Sequence, residues 1–217
     1  VDEYELFDAL ESDWRANRYF DVGVEYAKAD PEDLIVRITA TNRGPQAAPL
    51  HLLYQAWYRN TWSWEEDAAA PLIGLAKGGV STEHPGLDRR WIYAHSDDGE
   101  VRWLFCNNET NTEQLFGTPN PVPHVKGGIN DAIVHGDADA VDEGSGSKAA
   151  AVLQAEVAAG SSVTLWIRFA PKELDEPFED AFADDSQSHG LLRTRRRPLD
   201  LAGRGDADAG HNASVRF

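Results

Sequence analysis

The most constraining feature of this chain is a period of two. In "RYFDVGVEYAK", residues 18–28, Phe20, Val22, Val24 and Tyr26 fall on one side and Asp21, Gly23 and Glu25 on the other. β-Formers alternating with polar residues or glycine predict a strand with one buried face. Related runs follow at 34–41 ("LIVRITAT"), 49–60 ("PLHLLYQAWYRN"), 89–96 ("RRWIYAHS"), 101–107 ("VRWLFCN") and 163–170 ("VTLWIRFA"). Turn chemistry separates them: "ADPED" at 29–33, "NRGP" at 42–45 and "DDGE" at 97–100 carry the Pro, Gly, Asn and Asp that tight turns require.

Pairing is read from proximity. The runs flanking "DDGE" predict a hairpin. "INDAIVHG", 129–136, is a further strand candidate. Composition leaves "KAAAVLQAEV", 148–157, open between helix and strand; "DEGSGS" before it and "AAGSS" after it make it the hairpin partner of 163–170. Short strands about every ten residues, with no internal repeat, predict an all-β fold, an antiparallel sandwich or barrel. "PFEDAFADD", 177–185, reads as a short helix.

Charge marks a boundary. The chain of 217 residues carries −17, yet six Arg against three Asp give Ser186–Phe217 a charge of +3, leaving −20 for the rest. The predicted organisation is an opening segment (1–17), a β-sandwich (18–172), a linker or helix start (173–187) and an irregular basic tail (188–217). The acidic balance argues against nucleic acid, whose phosphates attract basic surfaces. With only five Lys (28, 77, 126, 148 and 172), it suits either a high-salt habitat or an arginine-rich, GC-rich coding bias.

No run approaches the roughly 20 apolar residues of a membrane span, and the acidic "VDEY" start is no signal peptide. Methionine is absent even at position 1, so the chain is read as beginning inside a longer protein. The lone Cys106 can form no internal disulfide and no CxxC site; a buried inert thiol and a cytoplasmic location are expected.

Catalytic signatures do not emerge. "GLAKGGVST" lacks the GK[ST] ending of a phosphate loop, no GxSxG elbow is present, and the seven His show no HExxH spacing. No metal or cofactor is expected. Two segments stand out. "RNTWSW", Arg59–Trp64, places two indoles among polar residues at a strand end. Trp62 and Trp64 suit sugar stacking or a domain interface, where Trp and Arg dominate binding energy; the interface is the preferred reading. "NNETN", Asn107–Asn111, surrounds Glu109 with amides. Such a cluster either offers paired donors and acceptors to sugar hydroxyls or satisfies its own turn.

In order and spacing, "RYFDVGVEYAKADPEDLIVRITATNRGPQAAPLHLL", "YRNTWSW", "NNETNTEQLFG", "VKGGINDAIVHG", "KAAA" and "VAAGSSVTLWIRF" resemble bacterial members of glycoside hydrolase family 63, the mannosyl-oligosaccharide-glucosidase type. The resemblance covers roughly residues 4 to 185. It implies an N-terminal β-sandwich, part of a super-sandwich lacking its earliest strands, that supports an (α/α)6 catalytic domain. That domain would hold the two acidic residues of an inverting reaction on α-glucosides, so no catalytic residue is assigned here. Arg59, Asn60, Trp62, Trp64, Asn108, Glu109 and Asn111 are the implied rim at the domain interface or substrate entrance. The partners implied are the catalytic domain and an α-glucoside or oligosaccharide. The alternatives are a free-standing carbohydrate-binding module or a structural sandwich that pairs with another protein. Near Gln187 the text departs from the family into "SHGLLRTRRRPLDLAGRGDADAGHNASVRF", as a frame shift or a natural basic tail would produce.

Overall fold

The computed structural model describes residues 5–64, 68–84 and 86–179. Two short helices, α1 (Leu6–Ala9) and α2 (Glu11–Arg15), open it. Ten strands follow: β1 (Phe20–Asp30), β2 (Asp33–Asn42), β3 (Ala48–Trp57), β4 (Ile73–Ala76), β5 (Gly79–His84), β6 (Asp88–His95), β7 (Val101–Cys106), β8 (Ser145–Gly146), β9 (Lys148–Val157) and β10 (Ser162–Ala170). Between β7 and β8 lie α3 (Thr112–Phe116) and α4 (Gly128–Asn130), the latter continuing as a π-helical turn over Asp131–His135. Every strand pairing is antiparallel. A large sheet runs β1-β2-β10-β6-β5-β4-β8, and a small sheet, β3-β9-β7, packs against it. The all-β sandwich is thus the fold. No helix among the described residues is long and apolar enough to cross a membrane.

The main core lies between the sheets. Val36, Ile38 and Ala40 of β2 and Leu165 and Ile167 of β10 meet Leu52, Tyr54 and Ala56 of β3 and Ala149, Ala151 and Leu153 of β9. Each fully buried Val, Leu or Ile contributes about 1.5–3 kcal/mol. Burial, with Tyr26 nearby, pushes the Tyr54 hydroxyl above the ordinary phenol range. On the outer face of the large sheet, Ile35, Tyr93, Trp166 and Phe178 form a second cluster. Arg168 locks it: its guanidinium donates through Nε and Nη2 to the two oxygens of Asp33 (2.9 and 2.6 Å) and through Nη1 to Pro177 O (2.7 Å). Removing one partner of such a buried pair costs about 3–5 kcal/mol.

Both predicted hairpins are absent, for one reason: the chain changes sheet at each turn. β6 belongs to the large sheet and β7 to the small one. Their arch is pinned to β10, since Thr164 N donates to Asp98 Oδ2 (2.7 Å) and Ser96 Oγ to Thr164 O (2.7 Å). Likewise β9 and β10 lie in opposite sheets. Buried Asn42 organises that crossing: its Nδ2 donates to Val157 O (2.8 Å), while its backbone binds Gly160 and Ser161. β10 is thereby delivered to β2.

The strand candidate 129–136 is helical instead. Ile129 and Ile133, four apart, share one helix face and pack on Cys106, Ala150 and Val152. Gly136, at φ 72°, ends the turn in the left-handed conformation. β3 stops at Trp57, short of the predicted residue 60. The β4–β5 hairpin, with Gly78 at φ 73° in its turn, was not among the predicted strands. Of the predicted helix 177–185, only residues up to 179 are described; 180–185 and the tail 188–217 lie outside the described residues.

β9 gives the test of this packing. Ala149, Ala150 and Ala151 are all fully buried, Ala151 facing the main core and Ala150 the opposite side. Ala151→Leu is expected to lower stability by about 1–3 kcal/mol through overpacking, read from urea denaturation. Leu75→Ala, at an exposed residue of β4, should stay within about 0.5 kcal/mol of wild type.

Candidate functional site

The small sheet brings the two singled-out segments together. β3 and β7 both pair with β9, one on each side, so they run in the same direction and end side by side. Trp57 of β3 and Cys106 of β7 both register with Lys148. Arg59–Trp64 and Asn107–Asn111 therefore leave the sheet at the same edge.

Hydrogen bonds join the two loops. Asn60 Nδ2 donates to Asn108 O (3.0 Å), and Asn108 Nδ2 donates back to Tyr58 O (2.8 Å). The indole Nε1 of Trp62 donates to Glu109 Oε1 (2.8 Å) across 47 residues of sequence. Trp62–Trp64 forms one 3₁₀ turn, held by Ser63 N donating to Asn60 Oδ1 (3.2 Å). Trp62 packs against the main core. Trp64 points outward, 66% exposed, with the Arg59 guanidinium 5.0 Å from its ring centroid. That separation lies within cation–π range.

The amides serve the loops themselves. Asn111 Oδ1 caps α3, accepting from Gln114 N (3.1 Å). Asn107 Nδ2 donates to Pro123 O (2.8 Å), and Asn108 N to the hydroxyl of buried Ser147 (2.7 Å). The Asx-rich cluster is thus spent on internal bonds. Glu109 differs: its Oε2 is buried and accepts no hydrogen bond from any described residue. A buried acceptor left in that state costs about 1–3 kcal/mol, more for a charged group.

Four neighbours escaped the sequence reading. Tyr58 stacks on His84 (centroids 4.8 Å apart, planes 13°). Thr82 Oγ1 lies 3.1 Å from the Tyr58 hydroxyl. Ser147, hidden in a stretch that looked like plain linker, anchors Asn108. Lys148 sits between the strand ends and donates to Lys126 O (3.1 Å); burial pushes its ammonium pKa down. The one sequence signal for Lys148 was its rarity as a lysine beside an apolar run. Cys106 is fully buried, and burial pushes its thiol up. The adjacent segment presses against β7 closely enough that a Cβ on Gly146 would meet Cys106 O at 2.3 Å, which excludes any larger residue there.

The arrangement is a rigid rim with one exposed aromatic–cation pair and one buried, under-satisfied carboxylate oxygen. A scan of the chain against protein-family models gives no match, and a comparison with curated proteins gives none either.

A double-mutant cycle tests the bridge between the loops. Trp62→Phe keeps a ring and removes the indole donor; Glu109→Ala removes the acceptor. Their coupling in urea denaturation is expected at about 1.5–3 kcal/mol, the range for hydrogen bonds to charged groups. Strict additivity would mean that the two loops are not joined through this bond.

Proposed function

We propose that this chain is the accessory β-sandwich of an α-glucosidase-like glycoside hydrolase of the family-63 type. It docks an (α/α)6 catalytic domain through the Arg59–Trp64 and Asn108–Asn111 rim and borders the substrate entrance. The observation that carries this reading is the exposed Trp64 under Arg59, mounted on a 3₁₀ turn that the Trp62–Glu109 bond holds rigid. Trp and Arg are the residues most enriched where interfaces concentrate their binding energy. A pre-ordered anchor also loses little side-chain entropy on docking.

A sugar-binding module is the weaker reading. Asn60, Asn108 and Asn111 would have to offer their polar atoms to hydroxyls, yet these are engaged within the loops. Catalysis belongs to the partner domain under this proposal: no carboxylate pair here is assigned as acid and base.

The experiment combines this chain with the separately expressed (α/α)6 domain of a bacterial family-63 glucosidase. Wild type should bind, and Trp64→Ala should weaken binding at least tenfold while leaving stability within about 0.5 kcal/mol, as for an exposed side chain. The chain alone should not hydrolyse a nitrophenyl α-glucoside. Hydrolysis by the purified chain, or binding indifferent to Trp64→Ala, contradicts the proposal. Trp64-dependent retention on immobilised glucan would move the function to carbohydrate binding.

A further inference from the structure

We draw no further inference here: the strongest candidate, the open groove of about 510 Å³ between α3 and residues 117–124, lined by Glu113, Asn120 and His124 among others, offers one exposed carboxylate at Glu113, and nothing in the structure shows what would occupy it.

Discussion

The burial of Ala149–Leu153 of β9 on both faces is the constraint from which the rest follows. Ala149, Ala151 and Leu153 face the large sheet; Ala150 and Val152 face Ile129, Ile133 and Val141 on the far side. A stretch of strand without a solvated face needs neighbours on both edges and cover on both sides. β3 and β7 supply the edges, the large sheet one cover and the α4 turn the other. Small side chains at 149–151 suit the close approach this layering imposes, since cores pack at crystal-like density. Because β3 and β7 must both run antiparallel to β9, their ends meet at Lys148, and the rim is assembled there.

Strand existence was legible where runs of β-formers lie between turn signals: β2, β6, β7 and β10 each lie close to where the sequence put them, although Ile35, Tyr93, Trp166 and Cys106 bury part of their second faces as well. Neighbours were not legible, because a period of two reports a face and says nothing about which strand lies alongside. Both predicted hairpins failed on that point. β9 carries no period over Ala149–Leu153, where both faces are apolar, so only its flanking turns identified it. The 129–136 run shows the complementary ambiguity: a short apolar stretch reads as a strand until its four-residue spacing finds a core to pack on. In β1 the alternation set Phe20, Val22, Val24 and Tyr26 on the face shared with the core side of β2, but the expected burial of that face is not found: Val22, Val24 and Tyr26 are about half exposed, because the small sheet ends before covering them.

The candidate site was legible in part. "RNTWSW" and "NNETN" stood out by composition, and the structure brings them into hydrogen-bond contact. Their meeting depends on the order β3-β9-β7, which no local pattern encodes. The Asn side chains illustrate the limit: amide clusters look alike whether they greet a ligand or cap a helix, and here Asn111 caps α3. Lys148, Ser147 and Tyr58 act through position alone. What distinguishes Trp64 and Glu109 is physical: one is an exposed aromatic beside a guanidinium, the other a buried carboxylate that holds the Trp62 indole.

Nuclear Overhauser contacts along β9 test the central claim most directly, because the rim exists only if β9 lies between β3 and β7. The account predicts cross-strand contacts from Ala149 and Ala151 to Ala56 and Tyr54 on one side and to Phe105 and Trp103 on the other. A contact from the Trp62 indole proton to the Glu109 side chain should accompany them. A ladder of backbone contacts between β9 and β10, as in a hairpin, would contradict the pairing and separate the two loops.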